Sequence, residues 1–179
     1  MHILFVCTGN VCRSPTAERL AMEYVARSHI QSVLTASSAG TRAMVGHPIQ
    51  PFAARVLTKL GGDPYNFAAR QITPRTAASA DLVITMTRSH RDDVLELVPR
   101  RLDRVFSLLE TARLVSDCSA RTIEDLAAFR PLLPTHTQFD IPDPMGRDET
   151  YFELVGSQIA DHLPPILELC ARDQSSSTA

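Results

Sequence analysis

The chain has no cysteine pair at CxxC spacing, no two histidines placed to share a helical face, no membrane-length apolar run and no excess of positive charge. Each absence removes a class of function. Cysteines at positions 7, 12, 118 and 170 are too dispersed for a structural zinc site and read as free thiols rather than a disulfide framework. Histidines 2, 30, 47, 90, 136 and 162 are equally scattered, so neither a metal nor another cofactor is expected. A formal net charge of −2 supplies no broad basic surface, and neither nucleic acid nor a membrane is expected as a partner. The N-terminal residues enter an apolar run without a cationic lead, and Thr8, Gly9 and Asn10 interrupt it; with no targeting or spanning segment, a cytoplasmic location is expected. There is no internal repeat, and low complexity is confined to the end, where residues 172–179 are expected to form a disordered tail.

What remains is a 179-residue chain, 44% hydrophobic, long enough for one buried core and too short to favour two. A single domain over residues 1–171 is expected. His2 to Val6 reads as a strand buried on both faces, ended by Thr-Gly-Asn. From Ser14 the period becomes helical, with Ala17, Leu20, Ala21, Tyr24 and Val25 on one side. Ser32 to Ser38 reads as a second strand, and Pro51 to Leu60 as a helix closed by Gly61 and Gly62. Asp81 to Met86 and Arg104 to Leu108 supply two further strands, with a helix over Arg91 to Val98 between them. Strands alternating with helices predict an α/β fold: a four-stranded parallel sheet with helices on both faces. Thr122 to Phe129 reads as a helix within an otherwise irregular stretch from Leu109 to Phe139, and prolines 131, 134 and 142 suggest a long surface excursion. A last helix begins near Asp148, burying Phe152, Val155, Ile159 and Leu163, and Pro164 and Pro165 are expected to kink or restart it.

The segment Cys7-Thr8-Gly9-Asn10-Val11-Cys12-Arg13-Ser14 lies between a strand and a helix start, where unpaired amides and the helix dipole favour an anion. Gly9 permits close backbone approach, and Asn10 tolerates the left-handed conformation a curled loop needs, so successive amides can converge as a nest. At the rim of such a nest Cys7 is placed to act as a thiolate nucleophile. Arg13 offers a planar fork for two phosphoryl oxygens, and Ser14 can donate to the sulfur when it leaves. A buried cysteine before a glycine turn is also common in domains that bind nothing. Here the cysteine ends an apolar strand and the arginine opens a helix, a context that favours chemistry.

Together, CTGNVCRSPTAE and the later IPDPMG resemble the signature loop and the general-acid loop of the low-molecular-weight protein tyrosine phosphatase family. Ser38-Ala39-Gly40-Thr41 and Ala69-Arg70-Gln71-Ile72-Thr73 fall where that family has similar segments, so the resemblance spans most of residues 1–171. It implies the four-stranded parallel sheet, a metal-free phosphocysteine mechanism, and phosphorylated protein or peptide substrates. It also implies that Asp143 is the general acid, protonating the leaving oxygen. Alone, Asp143 could simply open a proline turn, and Asp140 is the alternative acid.

Several positions depart from the family pattern. Met145 stands where an aromatic residue commonly follows the Asp-Pro, and Thr41-Arg42-Ala43-Met44 lacks the second aromatic wall. Phe67 replaces a histidine that in many members helps hold the loop asparagine, so Asn10 needs another partner, for which Ser38 is a candidate. Arginine phosphatases of the same family carry Thr where this chain has Val11, which leaves phosphoarginine as an alternative to phosphotyrosine. Cys12 is close enough in sequence to pair with Cys7 on oxidation. A thiol-dependent arsenate reductase would share the cradle, but Cys118 and Cys170 lack the pairing of a redox relay and Pro15 resembles the phosphatases. A non-catalytic phosphoprotein-binding module would keep the nest without needing Cys7, Arg13, Ser14 and Asp143 together.

Overall fold

The computed structural model describes residues 1–28, 34–134 and 139–176, with side chains through Asp173. Strand β1 (His2–Cys7) is the expected apolar run, lengthened to include the cysteine. Because successive strand residues face opposite ways, β1 feeds two cores. Ile3, Phe5 and Cys7 join Leu82, Ile84, Met86 and Phe106 on one face; Leu4 and Val6 join Ala39, Val83 and Val105 on the other.

Strands β2 (Thr35–Gly40), β3 (Leu82–Thr85) and β4 (Val105–Ser107) complete the sheet in the order β2-β1-β3-β4, with every neighbouring pair parallel. The chain leaves β1 to one side for β2 and returns to the other side for β3. In an open parallel sheet that reversal opens a crevice at the carboxyl ends of the strands. The loop after Cys7 therefore starts at the position where ligands bind in such sheets.

Helices cover both faces. Helix α1 (Arg13–Arg27) packs Ala17, Ala21 and Val25 onto the first core. Helix α2 (Pro51–Lys59) forms a smaller core with Cys12 and Phe152 through Ala53, Val56 and Leu57, and ends at Gly61 with φ 90°, the left-handed stop expected there. On the opposite face lie α3 (Pro74–Ser79) and α4 (Arg88–Leu97), contributing Ala77 and Val94. Helices α5 (Leu108–Ser116), α6 (Ile123–Phe129) and α7 (Glu149–Ser176) close the first core with Leu114, Ile123, Leu126, Val155, Ile159 and Leu163.

Several elements differ from expectation, most by a single residue at an end; α3 is an added helix, and four others differ by more. β2 begins at Thr35 and runs to Gly40, and the expected start at Ser32 lies outside the described residues. α4 begins three residues early because the Thr87 hydroxyl caps it, accepting from the His90 amide. The stretch after β4 is α5 rather than irregular chain: Ser107 and Glu110 form a reciprocal capping box, a local signal visible in Ser-Leu-Leu-Glu. α7 is one helix containing Pro164 and Pro165, neither of which restarts it, and it continues through Ser176 past the expected end of the domain at 171. Of the expected tail, residues 177–179 lie outside the described residues, as do residues 135–138 of the excursion.

Candidate active site

β1 delivers Cys7 to the carboxyl end of the sheet, and α1 takes the chain away at Arg13. Between them, the carbonyls of Cys7, Thr8, Gly9 and Val11 accept from the amides of Thr41, Arg42, Met44 and Gln50 at 2.8–2.9 Å. In a trans peptide the following N–H points opposite to its carbonyl. Tying these carbonyls outward thus turns the amides of Thr8, Gly9, Asn10 and Cys12 into the hollow of the loop, where an anion can collect them. Cys7 is 2% exposed, and its Sγ lies 3.0 Å from Ser14 Oγ.

Asn10 has φ 53°, the left-handed conformation read from its position. Its side chain is fully buried and fully used: Nδ2 donates to Ser14 Oγ at 3.0 Å and to Ser38 Oγ at 2.8 Å, while Oδ1 accepts from the Arg70 amide at 2.8 Å. Ser38 in turn donates to Glu18 Oε2 at 2.5 Å, and Arg70 Nε donates to the Ser38 carbonyl at 2.6 Å. Ser38 is therefore the partner anticipated for Asn10. Glu18 and Arg70 complete the support that Phe67 cannot give; Phe67 instead lies under the Arg19 guanidinium at 5.7 Å. Glu18 was within reach of a sequence argument, one turn beyond Ser14 on α1, but Arg70 joins only through tertiary contact.

Gly40 explains how the β2 end can approach so closely. A Cβ there would collide with the Thr8 carbonyl oxygen and stand 3.0 Å from Ala43 Cα. At Gly9, by contrast, a Cβ would meet only the Val11 and Met44 side chains at 3.5 Å or more. Met44 thus sits over the loop, and both it and Met145 are about half exposed, at 44% and 47%.

Arg13 is buried, at 4% exposure. Its Nη1 donates to the Ile141 carbonyl at 3.1 Å and its Nη2 to Asp143 Oδ2 at 2.6 Å. The loop Phe139–Asp143 is seated by Ile141, fully buried, whose amide donates to the Met86 carbonyl at 2.8 Å. Asp143 is thus brought to the cradle, as anticipated, and its Oδ1 accepts from the Met145 amide at 3.1 Å. Asp140, the alternative acid, is occupied elsewhere: its Oδ1 accepts from the Arg88 amide at the start of α4.

His90 is a member of the site that spacing alone did not single out. It is buried, with Nε2 2.8 Å from Thr8 Oγ1 and Nδ1 2.8 Å from Thr87 Oγ1. Burial, with the Arg13 charge adding, lowers its pKa to about 4, so the ring is neutral at pH 7. Cys12 is a free thiol, as is Cys7. Burial pushes the Cys12 thiol well up, with the Cys7 sulfur adding, which keeps it protonated and a slow partner for disulfide exchange. Among the described residues, no three His, Cys, Asp or Glu side chains converge as a metal site, and no helix is long and apolar enough to cross a membrane.

The comparisons agree with this geometry. The family described as "Low molecular weight phosphotyrosine protein phosphatase" matches residues 2–125. The Salmonella typhi low molecular weight protein-tyrosine-phosphatase Wzb is 35% identical over 133 residues, 73% of this chain and 85% of Wzb. The low molecular weight protein-tyrosine phosphatase A of Mycobacterium bovis is 33% identical over 165 residues, 92% of this chain and 88% of its own. Among solved structures, the arginine phosphatase YwlE, as a cysteine-to-serine mutant with a phosphorylated active-site serine, superposes with a TM-score of 0.77 at 26% identity, covering 98% of this chain and 99% of that one. With its parallel sheet, its loop from Cys7 to Ser14 and these relatives, the chain belongs to the low molecular weight protein tyrosine phosphatases, a family of phosphoric monoester hydrolases.

Proposed function

We propose that the protein removes phosphate from protein side chains, phosphotyrosine foremost, through a phosphocysteine formed on Cys7. The observation that carries this is the meeting of four groups: a buried thiol, a loop with inward-turned amides, a buried guanidinium, and a carboxylate held 2.6 Å from that guanidinium. The Cys7 thiolate donates its electron pair to phosphorus as the phosphorus–oxygen bond to the leaving group breaks. Asp143, entering protonated, gives its proton to that oxygen. Arg13 and the amides of Thr8, Gly9, Asn10 and Cys12 hold the equatorial oxygens, which gain from fixed donors as charge redistributes. Water then attacks phosphorus, Asp143 takes its proton, and the sulfur departs as thiolate with Ser14 Oγ, 3.0 Å away, donating to it.

A second substrate has a specific reason behind it. The likeness to YwlE makes phosphoarginine the competing side chain. Val11, 5% exposed and without a hydroxyl, does not by itself choose between the two.

The test is hydrolysis of p-nitrophenyl phosphate, a phosphotyrosyl peptide and a phosphoarginyl peptide by reduced wild type and Cys7→Ser. Wild-type turnover that Cys7→Ser reduces to background supports the proposal, with the phosphotyrosyl peptide the better of the two peptides. No turnover, or turnover that survives Cys7→Ser, overturns the mechanism; preference for the phosphoarginyl peptide reassigns the substrate.

A further inference from the structure

The Thr87–His90–Thr8 chain contains three polar groups whose hydrogens admit two arrangements. Thr87 Oγ1 accepts from the His90 amide at 3.1 Å and lies 2.8 Å from His90 Nδ1; Thr8 Oγ1 lies 2.8 Å from Nε2. A neutral imidazole has one donor and one acceptor nitrogen. With the hydrogen on Nδ1, Thr87 Oγ1 would accept twice and its own hydrogen would lack an acceptor among the described residues. With the hydrogen on Nε2, Thr87 donates to Nδ1, and Nε2–H donates to Thr8 Oγ1. Each arrangement leaves one hydroxyl hydrogen over, that of Thr87 in the first and that of Thr8 in the second; in the second it belongs to the residue directly after Cys7, where a bound phosphoryl oxygen can accept it.

We propose that His90 is a positioning residue for the phosphate loop: its Nε2–H holds Thr8 Oγ1 so that the Thr8 hydroxyl donates its own hydrogen to a phosphoryl oxygen of the substrate. The ring reaches Thr8 from α4, on the face of the sheet opposite α1, and is 6% exposed, so its orientation is fixed by packing as well as by the two bonds. The same turn carries the Arg88 amide that holds Asp140 and the Met86 carbonyl that accepts from Ile141. One short segment therefore braces both the cradle and the loop bearing Asp143. The charged groups facing the ring are Arg13, Asp93, Asp140 and Asp143.

The proposal rests on the phosphatase function of the loop, and two measurements separate them. Long-range ¹H–¹⁵N correlation at pH 7 reads the His90 tautomer in wild type without any turnover: hydrogen on Nε2 supports the assignment, and hydrogen on Nδ1 overturns it. Kinetics with p-nitrophenyl phosphate and inhibition by orthovanadate are then compared for wild type, Thr8→Val, His90→Leu, His90→Gln and the Thr8→Val/His90→Leu pair, all well below their melting temperatures. Thr8→Val and His90→Leu should each weaken vanadate inhibition and kcat/KM by about tenfold, the pair no more than about twofold further, since partners in one hydrogen bond are not additive. His90→Gln, whose amide can place N–H near the lost Nε2, should recover most of the loss. Losses that multiply in the pair, unchanged vanadate inhibition in Thr8→Val, or His90→Gln as impaired as His90→Leu would overturn the role. Inert wild type with the Nε2–H tautomer would reject the phosphatase mechanism while leaving the hydrogen assignment intact.

Discussion

Arg13 Nη2 donates to Asp143 Oδ2 at 2.6 Å, joining a guanidinium side chain that is 4% exposed to a carboxylate side chain that is 48% exposed. The pair connects the anion-binding end of the cradle to the group proposed as general acid. A phosphate dianion entering the loop competes with Asp143 for the same donor and adds negative charge beside it.

Asp143→Asn separates the two roles of that carboxylate. Without a proton donor, kcat on p-nitrophenyl phosphate should fall by about 10²-fold, within the range for general acid catalysis. Arg13 is simultaneously released from its anionic competitor, so inorganic phosphate should inhibit the variant more strongly than wild type. Steady-state kinetics with phosphate as inhibitor reads both, and a weaker phosphate affinity would show that Asp143 helps rather than competes.

Ser38→Ala tests the support beneath the loop. Ser38 is fully buried, accepts from Asn10 and donates to Glu18. Its loss leaves Glu18 without that donor and Asn10 with one acceptor fewer, at a cost of about 2 kcal/mol. Urea denaturation should show the lower stability, and kcat should fall with it as Asn10 loosens from its left-handed conformation. Unchanged stability would mean that Ser14 alone suffices to hold the Asn10 amide.

Gly40→Ala tests the close approach of β2 to the loop. The added Cβ meets the Thr8 carbonyl, a backbone atom with no rotamer to move. Destabilisation of about 3 kcal/mol is expected from overpacking of this kind, with turnover impaired because Thr8 is displaced. Thermal unfolding together with p-nitrophenyl phosphate kinetics measures the two effects.

The pH dependence of stability should carry the mark of His90. Burial and Arg13 lower its folded pKa to about 4, below its ordinary value of 6.5. Between those values the unfolded chain binds the proton and the folded one does not. The His90 contribution is therefore complete above about pH 6.5 and is lost as pH falls toward 4, with a slope of at most about 1.4 kcal/mol per pH unit. Comparison of wild type with His90→Gln by denaturant unfolding from pH 7 to 4.5 should show the steeper decline in wild type; parallel curves would place the His90 proton in the folded state. The charges acting on the ring come from Arg13, Asp93, Asp140 and Asp143, and the difference between the two proteins isolates His90 from the carboxylates' own titration.

Local signals were the legible ones. β1 could be read because five consecutive apolar residues suit a strand buried on both faces, and α1 because its period changes directly after Arg13. The left-handed Asn10 followed from its residue type in a curled loop. For α5 the sequence carries one local signal, Ser107 with Glu110, against the prolines farther along that make the stretch outside Thr122 to Phe129 read as irregular. Pro164 and Pro165 do not restart the last helix: α7 contains both, with Leu163, Ile166 and Leu167 buried around them, so packing of an apolar face outweighs the missing backbone donors.

By itself, the sequence determined the strand, the turn and the helix start that bring Cys7 and Arg13 to one loop, because those residues are neighbours in the chain and their conformations follow from local sterics and hydrogen bonding. It also carried the α/β alternation, since each apolar period is a property of its own segment. Tertiary structure alone decided the strand order, the seating of Asp143 against Arg13 across 130 positions, and the reach of His90 to Thr8 across 82. Those partners belong to different elements, and only the shared burial of the sheet's two faces fixes which side chains meet.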